Sequence, residues 1–124
     1  MNVTVREAYE TMFLVLDAAW DEERSEVLGR YLSDANPFLW EDGKSADPAI
    51  WGDFEKRFMG AFPQGCPDAC ASWTFINAYL LDVSAEYRAM VLKDASCPAE
   101  DFSDVFSRIA PMDTWEAALR QNKV

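Results

Sequence analysis

Apolar side chains in this chain recur at three- and four-residue spacing, and no stretch shows the strict alternation of a half-buried strand. That property restricts the chain to packed helices. The clearest case is the N-terminal segment, where Val5, Tyr9, Met12, Phe13, Leu16 and Trp20 form one stripe over about four turns. Arg6, Glu10, Asp17 and Asp21 lie off that stripe. Thr4 and Glu7 have the spacing of a capping box, in which each side chain accepts from the other residue's backbone N–H. The spacing predicts a first helix from there to the region of Trp20.

Ser25 is placed to cap a second helix that turns Val27, Leu28, Tyr31 and Leu32 inward. Residues Ser33 to Ala46 read as a loop, since Asn36-Pro37 disfavours helix and Asp42-Gly43 is a turn pair. Phe38, Leu39 and Trp40 are too apolar for water, so that loop is expected to pack on the body. Asp47-Pro48 starts a third helix, with aspartate at the N-cap and proline at the first helical position. Ile50, Trp51, Phe54, Phe58 and Phe62 follow at helical spacing, and Pro63-Gln64-Gly65 ends it. Asp68 caps the next helix, which carries Phe75, Ile76, Tyr79 and Leu80. The pattern breaks near Asp82-Val83-Ser84, so residues 69–93 read better as two helices than as one, with Ser84 as the second cap. Ser96-Cys97-Pro98 opens another helix bearing Phe102, Val105, Phe106 and Ile109, and Pro111 stops it. Asp113 with Glu116 is expected to cap a last helix that buries Trp115, Ala118 and Leu119. The prediction is all-α: a single domain over residues 1–124, with six or seven short helices and one long packed loop near 33–46.

At 124 residues, half of them hydrophobic, such a chain can bury about two-thirds of its surface without a metal or disulfide. No apolar run approaches the roughly 18 residues of a membrane span, and the N-terminus lacks signal-peptide features. The expectation is a cytoplasmic protein. Its formal net charge of −11 disfavours nucleic acid and anionic membranes and favours a basic partner. The chain contains no histidine, the commonest general base and metal ligand. Cys66 and Cys70 are four apart, but no second cysteine pair completes a zinc set, so they and Cys97 read as reduced thiols. No metal or cofactor is expected. Phosphate loops, nucleophile elbows and zinc-protease motifs are absent from the sequence, and no carboxylate pair stands out from the rest. A carboxylate enzyme would need two converging acids in a deep pocket; the reading is non-catalytic.

The acidic residues cluster. Asp21, Glu22, Glu23 and Glu26 crowd the first inter-helix junction, Glu41 and Asp42 follow Trp40, and Glu100, Asp101 and Asp104 open the later helix. Carboxylates steer a basic partner while an aromatic anchor supplies contact energy. The competing reading is that these acids solvate helix ends and complement helix dipoles.

The first half also carries a composite pattern. It has Ala8-Tyr9, Met12-Phe13 with Leu14 and Leu16, then Trp20, Leu28-Gly29, Leu32-Ser33-Asp34 and Asp42-Gly43. Ala46-Asp47-Pro48-Ala49 with Trp51, Asp53 and Phe54 completes it. This resembles small acidic bacterial immunity-type proteins of polymorphic or contact-dependent toxin systems, over roughly residues 5–58. Phe54 stands where the pattern has a second tryptophan, and residues 35–40 are longer than usual. Residues 63–124 match only loosely, through an aromatic helix and the closing Asp113-Thr114-Trp115-Glu116. The resemblance implies a binder that blocks a cognate toxin domain. Its contact surface is expected at Asp21, Glu22, Glu23, Glu26, Trp40, Glu41 and Asp42. The alternative is a structural or adaptor domain that self-associates, as a homodimer for instance, through an apolar aromatic patch. Five tryptophans, eight phenylalanines and four tyrosines supply the material for one.

Overall fold

A computed structural model describes residues 2–23, 26–37, 47–91 and 101–122, with the backbone alone for Glu22, Glu23, Met90 and Val91. Among the described residues there are six helices and no strand, so the protein is all-α. They are α1 (Val5–Glu23), α2 (Glu26–Ala35), α3 (Pro48–Ala61), α4 (Ala69–Val91), α5 (Phe102–Ile109) and α6 (Met112–Asn122). The longest, α1 and α4, are 19 and 23 residues, so not all the helices are short as expected. Each of these two packs against every other described helix.

The local signals act where they stand. The Thr4–Glu7 capping box forms in both directions, with Thr4 N donating to Glu7 Oε1 at 3.2 Å and Glu7 N to Thr4 Oγ1 at 3.1 Å. Asp47 caps α3 by accepting from Ala49 N at 3.0 Å, with Pro48 at the first helical position. Asp68 accepts from Ala71 N at 2.8 Å and opens α4. Each such cap satisfies an amide that the helix cannot, worth about 1 kcal/mol.

Three expectations are corrected, and a further one, the third below, falls outside the described residues. First, α2 runs through Ser33 and Asp34 to Ala35, so the loop begins later than Ser33. Tertiary partners hold that last turn: Tyr9 Oη donates to the Ala35 carbonyl, and Tyr87 Oη donates to Asp34 Oδ2 at 2.9 Å. Asp47 N also donates to the Asp34 carbonyl at 2.8 Å, which ties α2 to the start of α3. Second, residues 69–91 form one helix, continuous through Asp82-Val83-Ser84. Ser84 is buried and caps a different helix, accepting from Phe102 N at the start of α5 at 3.0 Å. Asp101 occupies the N-cap position of α5 without a capping bond, because its carboxylate engages Arg88. Third, the described part of that helix opens at Phe102; the expected start at 96–98 lies outside the described residues, as does the expected packing of Phe38, Leu39 and Trp40. Fourth, α6 begins one residue before Asp113, with Trp115 N donating to the Pro111 carbonyl at 2.9 Å. Asp113 therefore lies inside the first turn, and Glu116 pairs with Arg120 at 2.5 Å.

The core is aromatic. Phe54 lies edge-on to Tyr9 and Tyr79 at 5.0 Å and to Phe75 at 5.6 Å, which joins α1, α3 and α4. Tyr31 and Tyr79 bring their buried hydroxyls within 3.2 Å of each other. Burial, reinforced by neighbouring tyrosines, holds Tyr31 well above its ordinary pKa. Burial likewise pushes Tyr79 up to about 12, and burial together with the Asp34 carboxylate raises Tyr87.

Those shifts fix an alkaline limit. An unfolded tyrosine ionises near pH 10, whereas these three keep their protons higher, so the folded state binds more protons above about pH 10. Their contribution to stability is complete below that pH and is lost as pH rises through the folded values. Tyrosinate absorbance from these residues is therefore expected to appear together with loss of helical ellipticity. A gradual rise centred near pH 10 with helicity intact would contradict this account.

Among the described residues no helix is long and apolar enough to cross a membrane.

Candidate interaction surface

The acidic residues at the described helix ends face different electrostatic circumstances. Asp101 and Asp104 stand at the N-terminus of α5, where the helix dipole is positive, and Asp101 pairs with Arg88. They stabilise the helix, and nothing else is needed to explain them. Asp113 likewise lies in the first turn of α6. Asp21, Glu22 and Glu23 fall in the last turn of α1, where the dipole is negative and no basic residue stands. Acids there oppose the helix they belong to. Glu26, across the junction, does suit the first turn of α2.

The described arginines are engaged elsewhere. Arg6, Arg30, Arg57, Arg88 and Arg120 each pair with a carboxylate of the chain itself, and Arg57 reaches Asp53, Asp82 and Glu86 together. Among the described residues no ion pair reaches Asp17, Asp21 or Glu26, all three of them exposed. Glu22 and Glu23 continue the cluster along the backbone, but their side chains lie outside the described residues, as do Trp40, Glu41 and Asp42 altogether. Of the surface expected from sequence, the described part is Asp21 and Glu26.

An aromatic does stand at this corner. Trp20, expected in the buried stripe, is half-buried at its end. It lines a recess of about 210 Å³ between α1 and α2, together with Phe13, Asp17, Gly29, Leu32, Ser33 and Asn36. The indole can sit there because position 29 has no side chain: a Cβ on Gly29 would stand 2.7 Å from Trp20 Nε1. Gly29→Ala is therefore expected to displace the indole, moving its Nε1–H resonance. The gain of about 1 kcal/mol in helix propensity offsets the lost packing, so net stability should change by no more than about that much. Gly52→Ala, with open space around it, is the control that leaves the resonance in place.

On the other side of α1 runs a second, more apolar depression of about 340 Å³. Leu14, Val15 and Ala18 of α1 form one wall, and Thr114, Ala118, Gln121 and Asn122 of α6 form the other. Leu14 is 45% exposed, unusual for a large hydrophobe in this chain; among the described residues only Met59 and Leu81 are comparable. Leu14, Asp17, Ala18 and Asp21 share one face by their three- and four-residue spacing, so they form a ridge between the two depressions. Spacing alone puts Asp17 off the buried stripe but does not join it to the acidic cluster. Leu14 carries a usable signal in the sequence, as an apolar residue outside that stripe.

Among the described residues this ridge offers carboxylates and an indole. Cys66 and Cys70 are exposed free thiols, and among the described residues no group of three metal-ligating side chains gathers. Carboxylates on a convex ridge, with an aromatic edge and an apolar groove beside them, suit contact with a basic, partly apolar surface. No protein-family model, curated protein or solved structure matches this chain.

Proposed function

We propose that the protein is a non-catalytic, immunity-like inhibitor that binds a basic toxin domain through the α1–α2 corner. The observation that carries this reading is the acidic last turn of α1, where Asp21 opposes its own helix dipole and no ion pair among the described residues reaches it. A surface that costs stability in the free protein gains it back when a basic partner neutralises it. Asp17, Asp21 and Glu26 would supply the steering charge and Trp20 the aromatic edge, with Glu22, Glu23, Trp40, Glu41 and Asp42 as the further candidates from sequence. The resemblance of residues 5–58 to immunity-type proteins supports the same reading and gives the partner its class.

The test is capture of partners from the native lysate by the wild-type chain and by Asp17→Lys/Asp21→Lys, at low and high salt. The expected result is a basic protein held by wild type at low salt and lost by the variant. Identical recovery by both would sink the proposal.

One observation favours a second reading, self-association. Ala78, Leu81 and Ala85 are exposed at helical spacing on α4 and set apolar surface in water. A dimer in sedimentation that Leu81→Glu dissociates would shift the assignment to a self-associating domain.

A further inference from the structure

The recess between α1 and α2 combines an acid with aromatic side chains. Phe13, Asp17 and Trp20 stand at i, i+4 and i+7 on α1, and Gly29, Ser33 and Asn36 at the same spacing on α2, so one face of each helix lines it. Trp20 meets Gly29 where α1 ends and α2 begins. Asp17 stands on one wall, and the Ser33 hydroxyl and the Asn36 amide stand on the other. The depression beside α6 has no acid in its lining. A hollow at the start of α4 holds Asp68 and Glu116 but no aromatic, and those acids are engaged with Ala71 N and Arg120.

The acid of the recess is available. Asp17 is exposed, and among the described residues no hydrogen bond or ion pair reaches its carboxylate. Arg30, next to Gly29 on α2, pairs instead with Asp34 at 3.4 Å. Asp21, one turn after Asp17, and Glu26, one turn before Gly29, add exposed negative charge beside the recess. A carboxylate beside an indole and a phenyl ring is a receptor for a cation, since the acid supplies the counter-charge and the rings their negative faces. Of the cationic side chains, arginine suits this one best. Its guanidinium is planar with five donors in one fork, so it can donate to acceptors on two walls while a flat face rests on a ring. An ammonium group is compact and strongly hydrated, and it gains less in a recess of about 210 Å³ that opens to water.

We infer that this recess receives an arginine side chain of the basic partner, its guanidinium donating to the Asp17 carboxylate and lying against the Trp20 indole. This rests on the proposed binding of a basic protein and deepens it by naming the side chain that is anchored and the place that holds it. One arginine seated against an aromatic is an anchor of the kind that concentrates binding energy in an interface.

The probes are arginine, lysine and citrulline, each blocked as the Nα-acetyl methylamide; citrulline keeps the shape of arginine without its charge. In the full-length protein, the Trp20 Nε1–H resonance and the amide shifts of Asp17, Gly29, Ser33 and Asn36 report binding at the recess. Blocked arginine is expected to move them with a Kd of about millimolar, the strength that one side chain supplies. Lysine and citrulline should bind at least about three-fold more weakly. Asp17→Asn should weaken blocked arginine about three- to five-fold, the range of an exposed ion pair, and Gly29→Ala, which displaces the indole, by a similar factor. Asp104→Asn, which removes an acid elsewhere, should leave binding unchanged. No saturable shift at the recess, binding of citrulline or lysine equal to that of arginine, or indifference to Asp17→Asn would each overturn the inference. In partner capture the two ideas separate. Loss with Asp17→Lys/Asp21→Lys but full recovery with Gly29→Ala removes the recess and keeps the inhibitor reading. Blocked arginine held at the recess while no basic protein is captured removes the inhibitor reading and keeps guanidinium recognition.

Discussion

Trp115→Ala should lower the unfolding free energy by about 3–5 kcal/mol, the range for deleting a fully buried aromatic. Trp115 has no exposed surface and lies edge-on to Phe106 at a centroid distance of 5.3 Å. Its Nε1 donates to Ser72 Oγ at 3.0 Å, and that hydroxyl donates onward to the Ala69 carbonyl at 2.8 Å. One side chain thus fastens α6 to both α4 and α5. Nearby, Trp73 Nε1 donates to the Ala110 carbonyl at 2.9 Å and pins the link between α5 and α6 to α4. Removing the Trp115 indole leaves a cavity and takes away the donor to Ser72. Domains are stable by only about 5–15 kcal/mol, so the loss would be a large share of the total. The measurement is the denaturant midpoint followed by helical ellipticity. Trp115→Phe, which keeps the ring contact and loses only the N–H, should cost clearly less. A loss below about 1 kcal/mol for the alanine variant would mean that α6 is not held in this way.

Asp21→Lys should make the free protein more stable and a worse binder. The substitution replaces an acid in the last turn of α1 with a cation, worth about 0.3–1 kcal/mol against the helix dipole. It also sets an ammonium group four residues after Asp17, the favourable orientation of a helical ion pair, for a further ~0.3 kcal/mol. Both terms have the same sign, so the thermal midpoint should rise by a few degrees. Association with a basic partner should fall about ten-fold or more at low salt, with the difference shrinking as salt screens the steering field. Stopped-flow association and a thermal melt of the same variant provide both readouts. Residues retained against stability are expected at binding surfaces, and the opposed signs distinguish such a surface from ordinary solvation of a helix end. An unchanged association rate alongside a raised midpoint would leave the acids as a plain cost to the fold and remove the corner from the interface.

Part of the candidate surface is legible without coordinates. Residues 21–26 read as an acidic junction between helices, and that is where α1 gives way to α2. What spacing does not reveal is which acids are explained by their own helix. Asp101 and Asp104 look like Asp21 and Glu26 in sequence, but the former stand at a positive helix end with Arg88 alongside, and Asp21 stands at a negative one. The groove is hidden for a different reason. Periodicity marks Leu14 as off the main stripe, but whether such a residue meets a neighbour or water depends on how closely α6 lies beside α1.

The sequence by itself determined that the chain is helical and where most helices begin. Thr4 with Glu7, Asp47 with Pro48, and Asp68 act on amides two or three residues away, and interactions that short do not depend on the rest of the fold. Tertiary structure alone decided the fate of groups whose partners are distant. Ser84 reads as the cap of its own segment but serves Phe102, and the last turn of α2 persists because Tyr87 and Tyr9 reach it from α4 and α1. A polar side chain buried by packing must bond whatever donor or acceptor the neighbouring helix presents there, and periodicity records which face is buried without recording what lies opposite.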